Sequence, residues 1–93
     1  MYIAKVIGNV VSTSKNEKLI GSTLLIIKRL DENKNPIGLS EIALDTVGAG
    51  TGEIVIVASG SSARLAVKKE EIPPVDLSII GIVDSVEVND FLE

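Results

Sequence analysis

The sequence predicts a mainly β fold, a small barrel of five strands within a single domain. Three observations carry this prediction. Eleven Val and thirteen Ile occur among the 93 residues, and β-branched side chains favour a pleated, half-buried surface. The aliphatic runs are short, the longest being 24–27 and 54–58, and polar or glycine-rich segments separate them. Runs this short fall far below the ~20 residues that span a bilayer, so we expect no membrane partner.

The first two strands follow from the N-terminal half of the pattern. Residues 2–12 form the first predicted strand, with a bulge or sharp bend where Gly8 interrupts the apolar positions. A polar loop over 14–18 separates it from the second strand, 23–31. The continuous aliphatic run 24–27 predicts that the second strand is buried on both faces.

A hairpin and a fourth strand come next. The Asn-Lys-Asn-Pro sequence at 33–36 predicts a tight turn, because Pro fixes φ and Asn tolerates left-handed geometry. The third strand, 38–46, then pairs with the second. Residues 47–53 contain three glycines and predict an irregular loop, which leads into the fourth strand at 54–58.

The remaining residues complete the domain. A short helix is predicted over 63–68, with a preceding Ser as its N-cap. Pro73-Pro74 makes 69–76 an extended connection to the last strand, 77–88, which Gly81 interrupts. Five strands with one short helix before the last indicate a small β-barrel, and an OB-like barrel is among the candidates. We predict one barrel domain over residues 1–88 and a short C-terminal tail over 89–93.

Composition excludes most catalytic chemistry. The chain has no Cys and no His, which removes disulfides, thiolate and imidazole nucleophiles, Ser–His dyads and Cys/His zinc sites. The spacing of a calcium-binding loop is also absent. We therefore expect no enzyme activity, no catalytic residues, no metal site and no cofactor.

The glycine loop invites a phosphate-binding interpretation, which its spacing does not support. A dinucleotide fingerprint needs G-x-G-x-x-G opening a helix, whereas Gly48, Gly50 and Gly52 are followed by Glu53 and a β-type run. A P-loop also needs Gly-Lys-Ser/Thr. Glu53 would repel an anion. The favoured interpretation is a tight loop whose glycines permit positive φ or a close backbone approach.

Two further groups of residues have both a functional and a structural interpretation. Gly60, Ser61, Ser62 and Arg64 offer two hydroxyls and a guanidinium to an anion, but helix capping and an ordinary ion pair explain them better. Four carboxylates lie near strand ends, and salt bridges or turn caps suit them better than a glycosidase pair: Asp45, Glu53, Asp76 and Asp84.

Nucleic-acid binding is the alternative that an OB-like barrel raises. Single-strand binders combine a basic groove with stacking aromatics. This chain has a net charge of −4, and its only aromatic residues are Tyr2 and Phe91. We therefore expect no nucleic-acid partner.

The ordered motifs point to a family. They are VIGNVVSTSK at 6–15, LIG at 19–21, LLII at 24–27, DTVGAGTGE at 45–53, GSSAR at 60–64, PVD at 74–76 and IGIVD at 80–84. In this order and spacing, the sequence resembles the bacterial microcompartment vertex proteins of the EutN/CcmL family. Two positions depart from the family pattern: Thr23 stands where Lys is common, and Leu77 stands where a small residue is usual.

The resemblance implies a structural role without catalysis. It implies an OB-like barrel that assembles into a homopentamer and caps the vertices of a polyhedral shell of hexameric tiles in the cytoplasm. The shell's hexameric proteins are then its partners. In the family the glycine loop and the Gly-Ser-Ser-Ala-Arg segment lie near subunit contacts and the central axis. The candidate interface or axial-pore residues are therefore Gly48, Gly50, Gly52, Glu53, Gly60, Ser61, Ser62 and Arg64.

Overall fold

Five strands account for most of the chain that the structure describes. A computed structural model describes residues 1–11, 23–60 and 76–88. Within these ranges the backbone forms only strands, turns and irregular connections, apart from a single helical position at Gly60. The strands are β1 (Tyr2–Asn9), β2 (Thr23–Leu30), β3 (Pro36–Asp45), β4 (Ile54–Ser59) and β5 (Leu77–Val83).

The strands close into a barrel in the order β1-β2-β3-β5-β4. Neighbours pair in antiparallel fashion, except β3 and β5, which run parallel. The parallel contact is short, since it joins only Leu44 to Ser78 and Asp45 to Ile79. The predicted mainly β, five-stranded barrel is confirmed.

The interior of the barrel is filled by residues from all five strands. Side chains in a strand point to opposite faces in turn, so β1, β2 and β4 each send two alternate residues inward, whereas β3 and β5 contribute one each. Ile27 and Ile79 are the largest of these and are fully buried. The complete cluster comprises Ala4, Val6, Leu25, Ile27, Ala43, Val55, Val57 and Ile79.

Two glycines lie at irregularities in the ladders. The β1–β2 register shifts between Val6 and Gly8, which confirms the bulge predicted at Gly8. In β5, Ile79 pairs with Val57 and Gly81 pairs with Ile56, so the register shifts there as well. Such bulges increase the local twist and let a five-stranded sheet close on itself.

The second strand differs from expectation in its burial. Leu25 and Ile27 are buried, but Leu24 and Ile26 are only half-buried. The continuous aliphatic run therefore covers one interior face and one partly exposed outer face. The prediction of burial on both faces was wrong within the single chain.

Several element boundaries also moved. The last strand ends at Val83 instead of residue 88, and β3 begins at Pro36 instead of 38. In the β2–β3 turn, Lys34 takes the left-handed conformation with φ 66°, not a neighbouring Asn. The Asp31 carboxylate holds this turn by accepting the Asn33 and Asn35 amides at 2.8 and 2.9 Å.

Four predicted features lie wholly or almost wholly outside the described residues: the polar loop at 14–18, the short helix at 63–68, the extended connection at 69–76 and the tail at 89–93. The described part of the chain contains no helix that is long and apolar enough to cross a membrane.

Candidate interaction surfaces

The carboxylate of Asp45 organises the glycine loop. Its Oδ1 accepts hydrogen bonds from the Val47 and Gly48 amides at 3.0 and 3.1 Å. Its Oδ2 accepts the Ala49 amide at 3.0 Å. Three consecutive amides are thereby satisfied by one side chain at the end of β3, which is the turn-cap role expected of a carboxylate at a strand end.

Glu53 closes the other end of the loop and joins it to β1. Its Oε1 accepts the Gly50 amide at 2.7 Å. The Val6 amide donates to the Glu53 carbonyl at 2.9 Å, and the Gly52 amide donates to the Val6 carbonyl at 2.8 Å. The loop is thus fixed to the barrel wall.

These contacts decide against a phosphate site in the loop. A phosphate cradle presents free backbone amides to the anion. Here the amides of 47–50 already bind the chain's own two carboxylates, Asp45 and Glu53. Both the amides and the charge therefore oppose anion binding.

The three loop glycines differ in what requires them. Gly48 and Gly52 have φ of +78° and +94°, a region that side chains disfavour, although a Cβ there would meet nothing within 4 Å. Gly50 has ordinary φ, but its Cβ would lie 3.4 Å from Glu53 Oε1. Backbone conformation explains the first two, and crowding at the loop hydrogen bond bears on the third.

The candidate residues fall into two separate places on the barrel. Gly48, Gly50, Gly52 and Glu53 precede β4, whereas Gly60 follows it, with φ +63° and its amide donating to the Asp76 carbonyl at 2.9 Å. The six-residue strand separates them by roughly 20 Å. Ser61, Ser62 and Arg64 lie outside the described residues.

A second surface, on the β2–β3 hairpin, was missed from the sequence. Leu39 is 85% exposed and Ile37 is 43% exposed, although both belong to β3. With Gly38, Ser40, Arg29 and Glu41 they line an open cleft of about 450 Å³. The only sign of this surface in the sequence is the alternation of apolar and polar residues along β3. The same alternation occurs whether the apolar face of a strand is exposed or packs against a core.

Tyr2 anchors one side of this cleft. The Arg29 guanidinium lies 3.8 Å from the centre of the Tyr2 ring, and the Tyr2 hydroxyl donates to Glu41 Oε1 at 3.1 Å. Burial and the hydrogen bond to Glu41 raise the pKa of Tyr2, while Arg29 opposes them. The first strand is thereby fastened to the hairpin.

The outer face of the barrel is also aliphatic. Ile3 pairs with Ile56, and Ile26 pairs with Ile42, on the face opposite the core. The first three are half-buried, and Ile42 is 55% exposed. A barrel with apolar side chains on both faces is suited to packing against other molecules.

The described residues contain no group of three or more acidic side chains placed to hold a metal ion. What they present to other molecules is exposed apolar side chains and a glycine loop held by hydrogen bonds.

Comparison with known proteins finds a matching family and similar proteins over nearly the whole chain. The family model described as ethanolamine utilisation protein EutN/carboxysome matches residues 1–84. The bacterial microcompartment shell vertex protein GrpN of Rhodospirillum rubrum is 55% identical over 87 residues, covering 94% of this chain and 97% of GrpN.

Solved structures match over the same extent. The pentameric microcompartment shell protein GrpN of R. rubrum has a TM-score of 0.86 at 53% identity, covering 96% of this chain and all of that one. The structure of Gloeobacter violaceus CcmL has a TM-score of 0.88 at 42% identity, covering 96% and 91%.

Proposed function

The chain belongs to the EutN/CcmL family, and we propose that five copies of it form a ring that caps a vertex of a bacterial microcompartment shell. The observation that carries the proposal is the match, over nearly the whole chain, to a shell protein whose solved structure is described as pentameric. The role is structural, as it is for the shell vertex relatives. The site of action is the shell of a microcompartment in the cytoplasm.

Geometry explains why such a shell needs this protein. A flat layer of hexagonal tiles cannot close, and pentagonal units supply the missing curvature. A ring of identical subunits joins two different surfaces of each chain in a head-to-tail contact that closes on itself. The protein must therefore present two complementary surfaces.

The exposed apolar side chains support such joints. Ile37, Leu39 and Ile42 lie on the hairpin, and Ile82 lies on β5, all at least 40% exposed. Burying aliphatic area yields about 25 cal/mol per Å², so these residues favour association over a free monomer. No comparable observation supports the nucleic-acid alternative.

We retain the interface proposal for the two glycine-containing segments. Gly48, Gly50, Gly52 and Glu53 form one contact segment, and Gly60, Ser61, Ser62 and Arg64 form the other. In this proposal Arg64 pairs with Asp45 or Glu53 within or across the joint. Both carboxylates bind loop amides and keep lone pairs free for a guanidinium.

Replacing Arg64 tests that pairing. Arg64→Ala should leave a folded barrel and lower the proportion of pentamer in native mass spectrometry. Lys34→Ala is the control, because it also removes one cation but lies in the exposed hairpin turn. An unchanged pentamer in R64A would exclude the pairing. We also propose that the Ser61 and Ser62 hydroxyls rim an axial pore, and a pentamer structure with those hydroxyls far from the five-fold axis would exclude it.

Shell closure tests the function itself. A hexameric shell protein is co-expressed with and without this chain, and the particles are imaged by electron microscopy. We expect closed polyhedral shells containing the chain, and open sheets or tubes in its absence. Equal closure in both samples would contradict a vertex role.

A further inference from the structure

We propose that residues 84–88 of one subunit pair with the exposed edge of β3 in the next subunit of the ring. The inference rests on the proposed pentamer and names the contact that joins its subunits. Three observations support it. One strand edge is open, a segment of strand-like sequence lies outside the sheet, and the parallel arrangement of β3 and β5 keeps that edge and that segment apart within one chain.

The open edge belongs to the first part of β3. Strand β3 pairs with β2 along its length, but with β5 only at Leu44 and Asp45. Among the described residues, 36–43 therefore have a strand partner on one side only. An unpaired edge presents backbone donors and acceptors that an extended segment can complete.

The segment that fits this edge follows β5. Residues 84–88 belong to no strand, although Val86-Glu87-Val88 has the alternation of one. Val88 is 48% exposed. Within the described ranges, the molecule therefore has a β-type segment that pairs with no strand and a strand edge that has no second neighbour.

The side chains of the two surfaces are compatible. In an extended conformation Val86 and Val88 face the same way, so they can cover Leu39, which is 85% exposed. Asp84 faces the same way as these two valines and brings a carboxylate to this side, whereas Glu87 faces the opposite way. Arg29 lines the cleft beside the edge.

The charges at the cleft favour an acidic segment on balance, because two cations, Arg29 and Lys28, outnumber the one lining carboxylate, Glu41. The Lys28 ammonium donates to the Gly38 carbonyl and adds a second cation. Glu41, the carboxylate in the cleft, accepts the Tyr2 hydroxyl.

The topology places the edge and the segment too far apart to pair within one chain. Strands β3 and β5 are parallel and meet at Leu44 and Ser78. The open edge precedes that meeting point, whereas 84–88 continues β5 beyond it. At about 3.3 Å per residue, Leu39 and Val83 lie on the order of 30 Å apart along the strand direction. Pairing between this edge and 84–88 therefore needs a second copy of the chain.

Different surfaces on one chain are what a closed ring requires. Each subunit would donate 84–88 to one neighbour and accept the same segment from the other at β3. This is a heterologous contact, and five repeats of it return to the first subunit.

Cysteine cross-linking tests the contact, and the natural chain contains no Cys to interfere. Leu39→Cys is combined in turn with Ser85→Cys, Val86→Cys, Glu87→Cys and Val88→Cys. Native mass is measured first, and the oxidised proteins are then analysed under denaturing conditions without reductant. The control pair is Leu39→Cys with Val11→Cys, since Val11 is 89% exposed and outside both surfaces.

We expect covalent multimers of up to five chains from the pairs that contain V86C or V88C, and their loss on reduction. Pairs with S85C or E87C should cross-link far less, because adjacent residues of a strand face opposite sides. Single variants should give dimers at most.

Three results would overturn the inference. Pentamers with no multimers above the V11C control, or with disulfides only within one chain, would exclude this contact and leave the vertex function intact. Equal cross-linking at all four positions would exclude strand pairing. A monomeric native mass at every concentration would remove the proposed function and this inference together.

Discussion

Asp45 shows how much of the loop structure depends on one side chain. Both of its carboxylate oxygens are used, and together they accept three backbone amides. From sequence, Asp45 was one of four carboxylates open to a cap or an acid–base interpretation. Its position immediately before a glycine-rich segment was the informative signal, because such loops leave amides in need of acceptors.

Removing the Asp45 carboxylate should destabilise the barrel. We expect Asp45→Ala to lower the free energy of unfolding by about 1–3 kcal/mol, because three amides, one of them partly buried at Ala49, lose a charged acceptor. Asp45→Asn keeps one acceptor oxygen, so its free energy of unfolding should lie between those of the natural chain and D45A. Urea denaturation measures the change, with Glu32→Ala at an exposed position of the hairpin turn as the control. A loss in D45A no larger than in E32A would contradict the capping role.

Tyr2 provides a titration that reports on a single residue, because it is the only Tyr in the chain. Burial, with the Glu41 hydrogen bond second, raises its pKa above the ordinary value of 10.0. The folded state thus holds the phenol proton more tightly. This stabilisation is complete below pH 10 and disappears as the pH rises through the folded pKa.

Ultraviolet absorbance of the phenolate measures this pKa in the native protein and in guanidinium. We expect the native midpoint to lie above the unfolded one, and Glu41→Gln to move it back towards 10.0. Tyr2→Phe should remove this part of the alkaline loss of stability. Coincident native and unfolded midpoints would show that the burial and the Glu41 contact are absent in solution.

At the scale of elements, apolar runs and the turn residues between them were enough to locate all five strands, whereas strand ends depended on partners. The β5 ladder stops at Val83, where pairing with Ile54 ends, although Val86 and Val88 had extended the predicted strand to 88. The left-handed residue of the hairpin turn is Lys34, since the Asp31 carboxylate fixes the turn around it. The end of β5 is set by a contact between elements, which no local pattern contains.

The glycine loop makes a prediction at this scale. Gly48→Ala and Gly52→Ala should each lower the free energy of unfolding by about 1–2 kcal/mol, because both positions have positive φ. Gly50→Ala should cost less, since its φ is ordinary. Thermal and urea unfolding measure the difference. Equal losses at all three positions would contradict the assignment of strain to Gly48 and Gly52.

At the scale of the whole molecule, the sequence accounted for the barrel and the family better than for the interaction surfaces. The exposure of Leu39 was not predictable, because it depends on how far β3 extends past its pairing with β5. Five of the eight candidate residues are described, and they occupy opposite ends of β4. Within one subunit, the strand itself keeps the two ends apart.

The central claim is that this chain acts as a ring of five. Native mass spectrometry, supported by light scattering over several dilutions, measures it most directly. We expect a species of five times the 9.8 kDa chain mass that persists on dilution to micromolar protein. A folded monomer at every concentration would contradict it.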